Sequence, residues 1–236
     1  MRPDAAPSFV RVDALGESGE TISLTAQESH YVARVCRSRP GETLSATDGR
    51  GTIARLVVLD VGPIVSARIE SVTRAAARRR AIAWCGAPEG NRADWLVEKF
   101  AEFGVSTFQP VETERASWDA GDAKLERWRR LSVAALRQSR GAWLMSIEPA
   151  RPLAELLGSA TAADSRWLAD PRGGRLIPAP GDGFSIGAVG PAEGFTAPEQ
   201  RLLREVGFRL ICLAGSRLRA ETAAVAWAAW WASGGA

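Results

Sequence analysis

Two glycine-containing turns near the C-terminus hold the residue types best suited to binding chemistry. One is Gly190-Pro191-Ala192-Glu193-Gly194-Phe195, the other Leu213-Ala214-Gly215-Ser216-Arg217-Leu218-Arg219. Each follows an apolar run and leads into a helix, so each offers main-chain N–H and C=O groups to whatever fits between them. An arginine at such a mouth, Arg219, is suited to opposing negative charge that develops during a reaction; it is equally placed to pair with Glu221. Glu193 is suited to accept a proton or hold an amino group, or to sit solvated beside a helix N-terminus, where an acid is favoured anyway. Glu221 and Thr222 could do no more than cap the last helix. The rest of the chain offers little competing chemistry. His30 is the single histidine, which excludes a His-rich metal site and leaves any Ser-His-Asp triad to be built on it alone. Cys36, Cys85 and Cys212 are far apart and form no CxxC pair, as buried small apolar residues would. Neither a G-x-x-x-x-G-K-[ST] loop nor a G-x-G-x-x-G after a strand is present.

The elements that must position these turns follow from periodicity. Residues 184–190 are an apolar run that reads as a buried strand. Thr196-Ala197-Pro198-Glu199 is a capping box opening a helix that should stop at Gly207, and 208–213 is strand-like again. Upstream, strands over 81–85, 105–111, 143–147 and 166–169 alternate with helices over 91–103, from Asp122 onward, and over 153–157, the mark of a parallel sheet with crossover helices. Before residue 74 the pattern is different. Strands over 8–12, 21–24, 43–47, 52–59 and 64–72 surround one short helix, opened by a second capping-box pattern, Thr25-Ala26-Gln27-Glu28. Tyr31, Val32 and Val35 should face inward from it and His30, Arg34 and Arg37 outward. Asp48-Gly49-Arg50-Gly51 is a hairpin signal. The arginine-rich stretch 74–80 is the expected boundary, and it suits either a phosphate contact or a plain basic linker.

The chain has 236 residues, enough for two unequal domains. Its first seven residues carry no leader-like apolar stretch, and no run approaches the roughly 20 apolar residues of a membrane span, so a cytosolic (cytoplasmic) protein is expected. Only Lys99 and Lys124 are lysines, so 28 of the 30 basic residues are arginine. Residues 1–80 hold 12 Arg against 9 acids, and residues 81–236 hold 18 basic residues, both lysines included, against 18 acids, so the net charge of +3 resides in the first third. That asymmetry suits a module that approaches a polyanion, and it is also compatible with an ordinary solvated surface.

The paired turns resemble the C-terminal signature of the RsmE-type ribosomal RNA uridine methyltransferases, members of the SPOUT class. Gly190, Pro191, Gly194, Phe195, Leu213, Leu218, Arg219, Glu221, Thr222 and Ala223 match it. Ala192-Glu193 stands where that family has Glu-Gly, and Ala214-Gly215 reads as its Leu-Gly turn displaced by one position. Further similarity lies in Ser29-His30 with Arg34-Val35-Cys36-Arg37, in Asn91 through Lys99, in Thr113-Glu114-Arg115 and in Gln138-Ser139-Arg140.

The resemblance implies a PUA-like β-barrel over residues 1–74, followed over 75–236 by a SPOUT α/β domain with a C-terminal trefoil knot. It implies methyl transfer from S-adenosyl-L-methionine to uridine N3 of small-subunit (16S) ribosomal RNA, with no metal. Arg219 and Glu193 would be the catalytic pair. The cofactor would lie against Leu168, Gly190, Pro191, Gly194 and Phe195 on one side and Leu213, Ala214, Gly215, Leu218, Glu221 and Thr222 on the other. Arg11, His30, Arg34, Arg37 and Arg92 would contact RNA. The working unit would be a homodimer, for which Trp227, Trp230 and Trp231, spaced one turn apart on the last helix, would supply an interface. Two rival readings share the fold: an RNA-binding relative that has lost activity, and a methyltransferase acting at another RNA position.

Overall fold

The computed structural model describes residues 8–119, 121–175 and 182–234. Its chain divides into two compact units, Met1–Arg78 with Leu136–Leu144, and Arg79–Ala135 with Met145–Ala236.

The first unit is built on a five-stranded sheet of β1 (Ser8–Arg11), β2 (Thr21–Ser23), β3 (Thr43–Thr47), β4 (Thr52–Val61) and β5 (Val65–Arg74), in the order β1-β3-β4-β5-β2. Alternation along β4 sends Ala54, Leu56 and Val58 inward, where they meet Val65, Ala67 and Ile69 of β5. The 48–51 hairpin forms as the sequence predicts, because Asp48 Oδ1 accepts hydrogen bonds from the amides of Arg50 (2.7 Å) and Thr52 (3.0 Å). Burial works against the charged Asp48 carboxyl, yet these amide bonds outweigh it and hold the group below the usual carboxylate range.

The short helix α1 (Ala26–His30) is capped by Thr25, whose Oγ1 accepts from Glu28 N at 3.2 Å. The returning half of the expected capping box is not made. Glu28 is instead buried and ion-paired with Arg137 at 3.4 Å. Beyond His30 the helix widens into a π-helical turn, Tyr31–Cys36, closed by the Arg37 amide on Val32 O with Arg37 at φ 55°. The wider turn rotates the apolar face expected of a 3.6-residue period. Val32 stays buried, whereas Val35 is turned outward and 65% exposed.

The second unit alternates as expected: β6 (Ala81–Cys85), α2 (Ala93–Glu102), β7 (Thr107–Glu112), α3 (Asp122–Ser139), β8 (Ser146–Ile147), β9 (Arg151–Pro152), α4 (Leu153–Ala160), β10 (Ser165–Gly174), β11 (Ser185–Val189), α5 (Ala197–Glu205), β12 (Arg209–Ile211) and α6 (Ala220–Ser233). The end of α3, from Leu136, groups with the first unit. The strands form a parallel sheet in the order β12-β10-β11-β6-β7-β8, with β9 beside β7. The strand predicted over 143–147 shrinks to Ser146–Ile147. Both stop signals at helix ends operate: Gly104 and Gly207 take φ 75° and 91°, conformations that cost a β-carbon-bearing residue energy.

The tryptophan stripe of α6 corrects an expectation. Trp227 and Trp231 are 1% and 3% exposed, consumed inside this unit rather than offered to a second subunit. Trp227 fills the space left by Gly187 of β11, where an added Cβ would overlap the indole. Trp231 lies under the Arg79 guanidinium at 4.6 Å, and half-buried Trp230 meets Trp167 edge-on at 5.0 Å. Helical spacing alone cannot distinguish a stripe that docks on its own sheet from one that docks on a neighbour. Among the described residues, no helix is long and apolar enough to cross a membrane.

Candidate functional site

Strand β10 lies between β11 and β12, so the connections leaving these two strands diverge to opposite sides of it. Parallel sheets open a crevice at such a point, outside the carboxyl ends of the strands. Here it is a cavity of about 460 Å³ whose walls are the ends of β10 (Leu168, Ala169, Asp170), β11 (Val189, Gly190) and β12 (Ile211, Cys212). Both glycine turns reach it.

The first turn is tightly held. A Cβ on Gly190 would stand 2.7 Å from the Phe195 amide nitrogen, so the fold has no room for one. Gly86 packs so closely beneath Pro191 that it too must lack a side chain. The turn closes on itself through Gly194 N to Pro191 O at 2.8 Å, with Gly194 at φ 76°. Arg115 donates to Glu193 O at 2.8 Å, and Gln200 Nε2 to Phe195 O at 3.0 Å. The helix that follows carries the complete predicted capping box: Thr196 Oγ1 accepts from Glu199 N, and Glu199 Oε2 from Thr196 N at 2.7 Å. The second oxygen of buried Glu199 accepts from Glu114 N at 2.9 Å, which fastens the turn to the loop after β7.

The second turn is held less. Cys212 N donates to Gly174 O at 2.9 Å, Cys212 Sγ donates to Ala214 O at 3.0 Å, and Gly215, Ser216, Arg217 and Arg219 are exposed. α6 starts at Ala220 with Arg219 in the N-cap position and no side-chain cap, so neither Glu221 nor Thr222 caps it. Glu221 is 2% exposed and ion-paired with Arg92, Nε to Oε1 at 3.1 Å. That pairing takes the carboxylate that the sequence offered to Arg219.

The predicted site residues therefore sort into groups. Leu168, Gly190, Pro191, Gly194 and Phe195 line the 460 Å³ cavity from one side, and Leu213, Ala214 and Leu218 from the other; Glu193 is at its rim. Gly215 and Thr222 line no described cavity. Arg219 and Glu221 face a second cavity of about 230 Å³, bounded also by Glu89, Ala192, Arg217, Leu218 and Ala220. Within the first unit, His30 and Arg34 border an open cleft of about 730 Å³ with Ser29, Gly62 and Pro63, Arg37 is exposed, and Arg11 pairs with Asp13 at 3.0 Å. No cluster of His, Cys, Asp and Glu able to hold a metal ion occurs among the described residues.

The sequence reading missed Asp170 and Gln200. Arg172 grips Asp170 through two bonds, at 2.9 and 2.8 Å, and reaches Gln200 Oε1 at 2.5 Å, so a side-chain relay runs from β10 to the Phe195 carbonyl. The Arg172 hydrogen bonds hold the Asp170 carboxyl below the usual carboxylate range, against the effect of its burial. The signal was present in Asp170-Pro171-Arg172-Gly173-Gly174, a turn-forming run directly after a strand.

Comparison with known proteins fits this geometry. Residues 76–232 match the family described as RNA methyltransferase domain, and residues 24–70 match RNA methyltransferase PUA domain. Ribosomal RNA small subunit methyltransferase E of Mycobacterium tuberculosis (strain CDC 1551 / Oshkosh) is 30% identical over 226 residues, 90% of this chain and 86% of that protein. The chain belongs to the RNA methyltransferase family. Within that family the protein of the same name from Synechocystis is 29% identical over 213 residues, 86% of this chain and 70% of that protein. A ribosomal RNA small subunit methyltransferase E from Neisseria gonorrhoeae, solved bound to S-adenosyl methionine, superimposes with a TM-score of 0.83 at 25% identity, covering 95% and 96% of the two chains.

Proposed function

We propose that this RNA methyltransferase uses S-adenosylmethionine to methylate N3 of a uridine in small-subunit (16S) ribosomal RNA. The observation that carries the reading is the 460 Å³ cavity on which both glycine turns converge at the carboxyl edge of the sheet. Its volume lies in the range of small-molecule sites, about 300–1,000 Å³. Its walls suit an adenosyl group: apolar side chains of Leu168, Val189, Leu213 and Leu218 for the ring, and turn main chain for its polar edges. S-adenosylmethionine, when bound, supplies a methyl group already activated by its sulfonium, so the protein's contribution is placement. Leu168 with Gly190, Pro191, Gly194 and Phe195, and Leu213 with Ala214 and Leu218, form the cofactor wall. Thr222 heads the last helix behind it. Arg219 opposes the negative charge that spreads over the uracil carbonyl oxygens as N3 loses its proton, and Glu193 at the rim is the second polar group available. The exposed side chain of Glu193 is placed to meet substrate.

The finer architecture belongs to the same proposal. Residues 1–74 act as a PUA-like barrel that brings RNA through Arg11, His30, Arg34 and Arg37, and 75–236 as the SPOUT domain, where Arg92 lies near the RNA path. A trefoil knot is supported by the intimacy of 173–174 with 211–212: a Cβ on Gly173 would meet Ile211 N at 2.5 Å, and Gly174 O accepts from Cys212 N. A homodimer is supported by the half-buried apolar face that Val225, Ala226, Ala229 and Trp230 leave on α6.

Calorimetry with S-adenosylmethionine, followed by mass mapping of small-subunit RNA before and after incubation with the protein, tests the function. Saturable binding and a single new methyluridine are expected. No heat with S-adenosylmethionine would overturn the proposal in favour of an inactive RNA-binding relative, and a methyl group at another atom or on other RNA would move the target.

A further inference from the structure

Helix α5 works on both of its sides. Its inner side carries Glu199 and Leu203 into the fold, while Ala197, Gln200, Arg201 and Arg204, three or four residues apart, run as one stripe along it. The stripe is one wall of an open cleft of about 500 Å³, completed by Glu205, by Leu210 of β12 and by Arg172 from the turn after β10. Among the described residues, three guanidinium groups thus share the cleft with one carboxylate, Glu205. Arg201 and Arg204 are exposed, and neither is ion-paired with Glu205 or with any other described acid. Like charges at neighbouring helical positions repel, so an anion between them is favoured.

Arg172 differs from the other two in being anchored. Its Nε and Nη2 groups are fixed on Asp170 at 2.9 and 2.8 Å, and Nη2 also reaches Gln200 Oε1. Nη1 makes no hydrogen bond among the described residues, and the side chain is 69% exposed. A guanidinium already held in this way keeps its planar fork oriented, so little side-chain freedom is lost when a further acceptor reaches the free Nη1 edge. Solvated arginines are ordinary; an anchored one with a free edge, sharing a cleft with two unpaired ones, is a prepared anion site.

We propose that this cleft binds a backbone phosphate of the RNA substrate, flanking the nucleotide that enters the cofactor cavity. The proposal rests on the methyltransferase reading above. Gln200 lines both the cleft and the 460 Å³ cavity, so a strand that reaches one passes the other. A phosphodiester offers two charged oxygens to guanidinium forks, which match them in geometry as well as in charge. The walls hold guanidinium donors but, among the described residues, no aromatic face on which a base would stack. The contact is therefore to the backbone: it fixes the position of the strand and carries no sequence information. An acidic peptide has the same sign of charge, but the family matched over residues 76–232 is described as RNA methyltransferase domain, which favours RNA. The bonds that orient Arg172 for the phosphate also hold Asp170 and, through Gln200, the Phe195 carbonyl at the cavity wall.

The salt dependence of RNA binding tests this, because each phosphate contact contributes about 0.7 to the slope of log affinity against log salt for a single strand. Fluorescence anisotropy of a labelled oligouridylate across a sodium chloride series supplies the slope. The double variant Arg201→Ala/Arg204→Ala should give a slope shallower than the wild type's by about 1.4, the worth of two contacts. Its thermal midpoint and its S-adenosylmethionine heat should be unchanged, since neither side chain lines the larger cavity. Arg201→Lys/Arg204→Lys, which keeps the charge, should restore most of the slope. Arg129→Ala/Arg130→Ala, which removes the same charge from exposed positions on α3, should leave it close to the wild type's. An unchanged slope in the Arg201→Ala/Arg204→Ala variant, or an equal change in the α3 variant, would overturn the assignment. So would displacement of the RNA by inorganic phosphate or poly-glutamate as effectively as by unlabelled oligouridylate at matched ionic strength, in favour of a free anion or an acidic protein. A wild type that keeps the slope difference but gives no heat with S-adenosylmethionine would instead remove the methyltransferase reading and leave the cleft an RNA site.

Discussion

The two glycine turns close on one cavity, yet they are built on opposite terms. The first is fixed from every side: by Gly190 and Gly86, which leave no room for a side chain, by Arg115 and Gln200 on its carbonyls, and by Glu199 beneath the helix it opens. The second has exposed residues, few bonds to its neighbours and open space at Gly215, where the nearest atom to an added Cβ is 3.9 Å away on Arg175. A rigid floor facing an adaptable wall gives one reference surface and one that can adjust to what lies on it. It also gives different meanings to the two places where the chain departs from the pattern it resembles. Ala192-Glu193 changes side chains on a turn whose main chain is pinned by other residues, whereas Ala214-Gly215 changes a turn with slack to absorb it.

Substitutions across the two turns test that contrast. Gly190→Ala should be the most damaging, destabilising the fold by about 3 kcal/mol through overpacking and abolishing S-adenosylmethionine heat in calorimetry; a stable, binding variant would show that the floor is not rigid. Glu199→Ala removes the returning half of the capping box and the bond from Glu114, and chemical denaturation should register a loss of about 2 kcal/mol. Asp170→Asn weakens the relay through Arg172 and Gln200, with a smaller cost, under about 1 kcal/mol at neutral pH because Arg172 is largely exposed. Its sign with pH is fixed. The folded carboxyl is held below its ordinary value, so its contribution is present above the unfolded value of about 3.9 and fades as pH falls through the folded one. The wild type should therefore lose its advantage over Asp170→Asn in melts taken below about pH 4. Gly215→Ala should change stability least, within about 0.5 kcal/mol, and a cost as large as that of Gly190→Ala would erase the distinction between the turns.

Much of this is legible in the sequence, and what is not has identifiable causes. The Thr196–Glu199 box formed in full because both partners are local and nothing else competes for them. The matching pattern at Thr25–Glu28 formed by half, since Glu28 is claimed by Arg137, 109 residues away, and no local signal discloses that. Val35 faces outward against the helical pattern because a π-helical turn breaks the period on which facing arguments depend. The inward seating of Trp227 and Trp231 is not visible along α6, because the hole that receives Trp227 is a glycine on a different element. At the site, both turns and their glycines were visible as motifs, but the third wall at Asp170 and the relay through Arg172 to Gln200 depend on sheet order. The division of the predicted residues between two cavities, with Arg92 rather than Arg219 beside Glu221, likewise depends on where separate strands end.

Trp227 seated in the gap at Gly187 has a consequence for how this chain can vary. A helix keyed into a single notch of the sheet cannot slip by a residue or swivel, so its head is delivered to the same spot whatever precedes it. Insertions and deletions between β12 and α6 should then be accommodated as slack, while a methyl group added at Gly187, in the strand rather than in either turn, would lift the helix and displace Glu221 and the groups around it together.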